Sequence, residues 1–305
     1  MEKVEGRVFI VQGPTASGKT SLAIDLAKEL NTEIISADSR QFYREMSIGT
    51  AKPTDDELRQ VTHHFIHSHS IQEEVSASQF AAQAKPILDQ LLIEKGSAVI
   101  VGGSGMFIDA LTFGLDDIPH DPMVQEKWNK LFENEGLDFL QQQLREKDAV
   151  YFGQVDIHNP VRLIRALEVI ELTGKPYSSL RQGNVKHAYH IQRYCIDWKR
   201  DDLYARIDQR VDMMIAEGLF EEAKSLFAQR HIKALNTVGY SEFFSYWENN
   251  CTYEEALSKI KQHTRNYAKR QLTWMKRYSD LISLNPYDSN SLIDQVKAEW
   301  KKVGV

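Results

Sequence analysis

Residues 13–20, Gly13, Pro14, Thr15, Ala16, Ser17, Gly18, Lys19 and Thr20, spell GPTASGKT between a short apolar run, VFIVQ, and the segment SLAIDLAKEL. Glycines at both ends of the motif let the backbone wrap phosphate oxygens with N–H groups. Lys19 adds a point charge, the start of the following helix adds positive potential, and the Thr20 hydroxyl is suited to ligate Mg²⁺. The pattern predicts a grip on two or more phosphates together with Mg²⁺. It leaves open what is done with them, because such loops serve many reactions. A second apolar run ends in ADSRQFY, which puts Asp38 at a strand end facing the loop. A carboxylate there can serve as an indirect Mg²⁺ ligand, as a general base, or as a helix N-cap. A third run ends in VGGSG, without the Asp or Glu that a nucleoside triphosphatase uses to hold Mg²⁺ at a neighbouring strand end. That weighs against simple ATP hydrolysis.

These residues need a scaffold of alternating strands and helices. Residues 8–11 read as a buried strand, the segment from Ser17 as a helix with Leu22, Ile24, Leu26, Ala27 and Leu30 on or near one face, and residues 33–38 and 97–103 as further strands. Residues 76–95 read as the helix between the last two. The order predicts an α/β fold: a P-loop NTPase-like parallel sheet flanked by helices, with ligands at the carboxyl ends of the strands. From 115 to 186 only helical patterns appear, the last, VRLIRALEVIELTG, closed by Gly174 with Pro176 behind it. An all-helical insertion of residues 115–186 in a core of 1–114 and 187–305 is expected. YHIQRYCIDW then alternates like a strand returning to the sheet, and three helical segments follow.

The chain of 305 residues carries a formal charge of −6, so any nucleic-acid partner must meet a local basic patch. One such patch lies in residues 259–277, with seven Lys or Arg and no Asp or Glu, interleaved with Tyr267 and Trp274. Read by itself it is either a solvated helix face or a cradle for a nucleic-acid backbone with stacking on bases. His63, His64, His67 and His69 invite a metal reading, but no carboxylate or Cys completes a familiar ligand set, and a polar loop is expected. Cys195 and Cys251 are far apart and fit small packing residues in a reducing compartment. The start of the chain lacks the apolar stretch of a signal sequence, and no window approaches the roughly twenty apolar residues of a membrane span. A cytoplasmic protein without membrane partners is expected.

Taken together and in order, GPTASGKT, DSRQFY, IGTAKPT, VGGSG, RALEVIELTGK, LYARIDQRVDMM, TVGYSE and TRNYAKRQLTWMKR resemble the bacterial tRNA dimethylallyltransferases, also called tRNA isopentenyltransferases. The resemblance implies a P-loop core with a helical insertion, dimethylallyl diphosphate as donor, and the tRNA anticodon stem-loop as partner. The acceptor would be the exocyclic amino group of the adenosine 3′ of the anticodon in tRNAs that read U-initial codons. It implies Asp38 as general base, with Lys19, Ser104 and Arg206 also in the catalytic set and Arg210 assisting at the diphosphate. Contacts to tRNA are implied for Asp38, Ser39, Arg40, Gln41, Ser104, Arg162, Arg165, Asn236, Thr237, Val238, Gly239, Tyr240, Ser241, Lys269, Arg270, Gln271, Trp274 and Arg277. The family has Thr where this chain has Ser104, which keeps the hydroxyl but loses the methyl group that would fix its rotamer.

The residues suit that chemistry. An allylic diphosphate ionises readily at carbon, so the enzyme must chiefly neutralise departing diphosphate, which the loop, Lys19 and Mg²⁺ can do. The adenine amino group must shed a proton as the C–N bond forms. A small-molecule or nucleotide kinase shares the loop but has no use for the basic terminal helix, and a prenyltransferase of free adenine nucleotides does not require it either. The chain is expected to act as a monomer.

Overall fold

The computed structural model describes residues 6–114, 118–180 and 189–302. The chain divides into two compact units, Met1–Thr112 with His187–Val305 and Phe113–Lys186. The ends expected for the insertion, Leu115 and Lys186, lie outside the described residues.

In the first unit the order is β1 (Arg7–Gln12), α1 (Lys19–Glu29), β2 (Ile34–Ser36), α2 (Asp55–Gln60), β3 (His63–His64), α3 (Ala77–Lys95), β4 (Ser97–Gly102) and α4 (Gly105–Phe113). Helices α5 (Pro122–Lys147), α6 (Ala149–Phe152), α7 (Pro160–Thr173) and α8 (Tyr177–Leu180) belong to the second unit. The first unit resumes with β5 (His190–Ile196), α9 (Arg200–Ala216), α10 (Leu219–Leu226), α11 (Ser241–Trp247), α12 (Tyr253–Met275), β6 (Leu281–Leu284) and α13 (Leu292–Lys302).

The six strands form one parallel sheet in the order β3-β2-β4-β1-β5-β6. A parallel sheet must be covered on both faces, which is why β1 and β4 are continuous apolar runs rather than alternating ones. Val8, Ile10, Ala98 and Ile100 join α3 and α4 on one face. Phe9, Val11, Val99 and Val101 join Leu22, Leu26 and Ala27 of α1 on the other. Helix α3 starts at a capping box, the Ser76 hydroxyl accepting from the Gln79 N–H while the Gln79 side chain accepts from the Ser76 N–H. Strands β3 and β6 escape the sequence reading because each is too short to display a strand period, two and four residues respectively.

In the second unit, α5 breaks at Gly136, whose φ of 79° lies in the left-handed region. Its apolar face packs on α7 through Trp128, Leu140, Leu144, Leu163, Ile164 and Leu167. Among the described residues no helix is long and apolar enough to cross a membrane.

Candidate active site

The phosphate-type loop follows directly from the end of β1. Ala16 (φ 63°) and Gly18 (φ 90°) take left-handed backbone, which turns the chain sharply into α1. The turn is a cradle that a side chain would fill: a Cβ on Gly13 would lie 2.9 Å from Ser17 Oγ, which is itself buried and has no hydrogen-bond partner among the described residues. The N–H groups at the start of α1 have no intrahelical acceptor, so they are available to an anion.

Cations gather around this cradle and are held by carbonyl oxygens. Lys19 Nζ donates to the Pro14 carbonyl at 3.4 Å and Arg206 Nε to the Ala16 carbonyl at 2.9 Å. The Arg206 guanidinium lies 4.3 Å from the centre of the Trp198 ring, whose Nε1–H donates to the Ser17 carbonyl at 2.9 Å. Asp202 and Asp208, on the same helix as Arg206, have other partners: Asp202 accepts from Tyr287 and Asp208 pairs with Arg265. Arg210 Nη2 donates to the Ala51 carbonyl at 3.1 Å. Burial of its ammonium end pushes Lys19 down to about 8, with the Asp38 charge opposing and Arg210 adding to the fall. Burial also lowers the Arg210 guanidinium, again against the Asp38 charge. Lys19 and Arg210 are thus close enough to Asp38 to feel its charge.

Asp38 lines a cavity of about 780 Å³ together with Thr15, Ser39, Arg210, Tyr267 and Arg270. It caps no helix. Its Oδ1 accepts from the Arg40 N–H at 3.2 Å, a local turn that leaves the second carboxylate oxygen for other work. Ser104, at the start of α4, accepts from the Ser39 N–H at 3.1 Å and donates to the Ser39 hydroxyl at 3.2 Å. Those two bonds hold the Ser104 rotamer in the absence of a methyl group. Tyr267, on α12, lies in the same cluster, its phenol raised by burial and by the Asp38 charge and lowered by its bond to Ser104. The sequence marked Tyr267 only as an aromatic in a basic helix.

Of the loop 236–241, residues Asn236, Thr237, Val238, Gly239 and Ser241 line the cavity. Arg270 is exposed with its guanidinium 5.6 Å from the Tyr267 ring, and exposed Lys269 and Arg277 lie over Tyr204 (6.0 Å) and Trp274 (4.6 Å). Arg162 is exposed on the first turn of α7, after the Asn159 cap.

Several expected contact residues also make bonds within the protein. Gln271 is buried: its Oε1 accepts from the Thr15 N–H at 3.0 Å and its Nε2 donates to the Gly103 carbonyl at 3.0 Å, joining the phosphate-type loop to the end of β4. Tyr240 is fully buried, with its phenol donating to Glu222 at 2.6 Å. The Arg40 guanidinium donates to the carbonyls of Ala234 (3.0 Å) and Asn236 (3.4 Å), so it ties down the 236–241 loop from within. The Gln41 amide donates to the carbonyls of Thr50 (3.2 Å) and Ala51 (3.1 Å). Arg165 is occupied by Glu168 (2.8 Å) and the carbonyls of Pro119 (2.9 Å) and Ile118 (3.1 Å), because the fully buried Glu168 requires a cation. Gln271 and Tyr240 are buried, whereas Arg40, Gln41 and Arg165 are half-buried and Arg40 also lines the cavity.

The four histidines each find a separate partner: Val61 carbonyl for His63 (2.9 Å), Glu33 for His64 (2.6 Å), Lys52 for His67 (3.0 Å) and Ser68 for His69 (2.8 Å). Among the described residues no group of three or more His, Cys, Asp or Glu is poised to share a metal ion.

The family model described as IPP transferase matches residues 41–278. The chain is 47% identical over 281 residues to the tRNA dimethylallyltransferase of Christiangramia forsetii, an alignment covering 92% of this chain and 93% of that one. The crystal structure of the full-length tRNA isopentenylpyrophosphate transferase of Bacillus halodurans aligns at 33% identity and a TM-score of 0.70, covering 98% of this chain and 95% of that one. A eukaryotic dimethylallyltransferase acting on tRNA aligns at a TM-score of 0.80 and 22% identity, covering 98% of this chain and 80% of that one, a likeness of fold alone.

Proposed function

The chain belongs to the IPP transferase family and has tRNA dimethylallyltransferase activity, and we propose that its cavity performs the transfer with Asp38 as general base and the phosphate-type loop as the seat of the leaving group. The observation that carries the reading is the position of Asp38: its carboxylate lines the cavity while acting electrostatically on Lys19 and Arg210. One cavity thus sets a proton acceptor beside Arg210, with Lys19 within reach of the same charge.

The donor is dimethylallyl diphosphate and the acceptor the exocyclic amino group of the adenosine 3′ of the anticodon, in tRNAs that read U-initial codons. The bond from the allylic carbon to the diphosphate oxygen breaks, and its electron pair leaves with diphosphate. The amino nitrogen bonds to that carbon, and its proton passes to Asp38. Lys19, Arg206 and Arg210 meet the negative charge that grows on the departing group. Guanidinium groups suit phosphate oxygens because they donate in a fork. Donors already fixed by the fold need no reorganisation as that charge grows.

Mg²⁺ fits this donor set. The Thr20 hydroxyl stands at the start of α1 beside the loop, and Mg²⁺ usually takes one or two protein oxygens together with substrate phosphate oxygens and water. Bound there, it would neutralise charge on the diphosphate.

The target adenosine has to leave its stack to enter the cavity, which costs less in a single-stranded loop than in a duplex. The rim residues Arg270, Lys269 and Trp274 on α12 and Arg277 just beyond it, with the 236–241 loop, fit a role in holding the anticodon loop through phosphate and stacking contacts. Arg162 is assigned the same role. Action as a monomer is part of this reading, and tRNA as acceptor supports a cytoplasmic setting.

The test is direct. The protein is incubated with Mg²⁺, dimethylallyl diphosphate and either unmodified tRNA or adenosine monophosphate, and prenylated adenosine is measured. Product with tRNA alone is expected. Prenylation of the mononucleotide without the tRNA product, or ATP turnover with a small acceptor in place of transfer, overturns the reading.

A further inference from the structure

Glu222 lies on α10, outside the cavity lining, and nothing in the sequence marks it. Its carboxylate nevertheless accepts four hydrogen bonds. Oε2 takes the N–H groups of Ser47 (3.0 Å) and Ile48 (2.9 Å). Oε1 takes the N–H of Gly49 (2.9 Å) and the Tyr240 phenol (2.6 Å). Three consecutive N–H groups turned to one point form an anion nest, and here the protein fills it with its own carboxylate. The fit is tight: a Cβ on Gly49 would lie 2.5 Å from the Tyr240 ring. Burial, and then the charge of Glu222, raise the Tyr240 phenol, so it stays a donor.

The other end of the same loop reaches the active site. Gly49, Thr50 and Ala51 line the cavity. Ala51 takes left-handed backbone (φ 48°), and its carbonyl accepts from both Arg210 (3.1 Å) and Gln41 (3.1 Å). A bent loop anchored at one end by Glu222 therefore ends on the carbonyl that directs a buried guanidinium. Resting on the reading of the site given above, we propose that Glu222 is a positioning residue for the diphosphate end: through loop 47–51 it fixes the direction of Arg210. Its substitution should therefore act on the leaving group far more than on tRNA.

A double-mutant cycle tests this. Inorganic pyrophosphate is titrated with Mg²⁺ into the wild-type chain, Glu222→Gln, Arg210→Ala and the double variant. The Gln substitution puts an amide donor where two N–H donors, or one N–H and a phenol, already point. Losing an aligned charge-assisted bond predicts a drop in affinity of about tenfold for Glu222→Gln. In the Arg210→Ala background the same substitution should add nothing, and KM for tRNA should stay within about twofold of wild type. An equal loss in both backgrounds, or pyrophosphate affinity unchanged in Glu222→Gln, overturns the proposal. If Glu222→Gln does not fold, Tyr240→Phe replaces it in the cycle, since it removes one of the four bonds and keeps the ring. Failure of the wild-type chain to prenylate tRNA would sink the reading of the site, whereas the pyrophosphate cycle reports on Glu222 whether or not transfer occurs.

Discussion

Beside the phosphate-type loop, cations are held on main-chain carbonyls: Lys19 on Pro14, Arg206 on Ala16 and Arg210 on Ala51. Beside Asp38, hydroxyls are tied to one another and to the backbone, as Ser104 is to Ser39, and the α12 cations Lys269 and Arg270 stay on the exposed rim. The first arrangement is preorganised charge. Burial lowers both Lys19 and Arg210, so an incoming diphosphate relieves a cost that the folded chain already carries. The second is a hydrogen-bonding template beneath a screened electrostatic rim. A small anion with fixed geometry suits the first, and a large flexible polyanion suits the second. The difference predicts that one side responds to pH and the other to salt.

The largest effect expected from breaking this contrast is on Asp38. Asp38→Ala should lower single-turnover transfer by about 10²–10⁴-fold, the usual share of a positioned base, while donor binding changes only a few-fold. Full activity in that variant would remove Asp38 from the chemistry. Next comes Lys19→Ala, expected to lower kcat/KM for the donor by roughly 10²-fold, as for loss of one charge-stabilising group, with KM for tRNA unchanged. In the wild-type chain the sign of the pH effect follows from a lysine pushed down to about 8. Below that pH the ammonium is present, and diphosphate favours it. As pH rises through about 8 the free protein loses the proton, and kcat/KM for the donor should fall. Lys19→Arg, which keeps its proton in this range, should flatten the profile even if its rate is lower. A wild-type profile that stays flat through that range breaks the assignment.

How much of this was legible in the chain depended on distance along it. The phosphate-type loop and its helix are local: eight consecutive residues carry the glycines, the lysine and the hydroxyl, and β1 and β4 announce themselves as apolar runs. The resemblance then supplied roles for Asp38 and Arg206, and the structure sets both beside the loop. Burial was not legible. Gln271 meets Thr15 across 256 positions, and Arg40 meets Ala234 across 194. A motif match cannot distinguish a side chain that only faces a groove from one that, like Gln271, also braces it. Glu222 was missed for the converse reason: one of two adjacent carboxylates in an amphipathic helix reads as solvated surface until the three N–H groups of a distant loop are seen to converge on it. Strands β3 and β6 were too short to carry a period.

Gln271 and Arg270 are neighbours on α12, and they separate bracing from contact at the smaller end of the scale. Gln271→Ala removes the acceptor of the Thr15 N–H and the donor to the Gly103 carbonyl. It should cost about 1–3 kcal/mol of stability, the penalty for leaving a buried polar group unmet, read as a lower denaturant midpoint, and should weaken the donor more than tRNA. Arg270→Ala should leave the midpoint unchanged, because its guanidinium is exposed and rests only on the Tyr267 ring. Its effect belongs to the polyanion: tRNA affinity should fall a few-fold at low salt, and the slope of log affinity against log salt should shrink by about 0.7–1 for one lost phosphate contact. Adjacent positions would then report on opposite sides of the cavity. An Arg270 variant with an unaltered salt slope but a weakened donor would place that guanidinium with Lys19 and Arg210, and the boundary between the two sides would have to be moved to the outer face of α12.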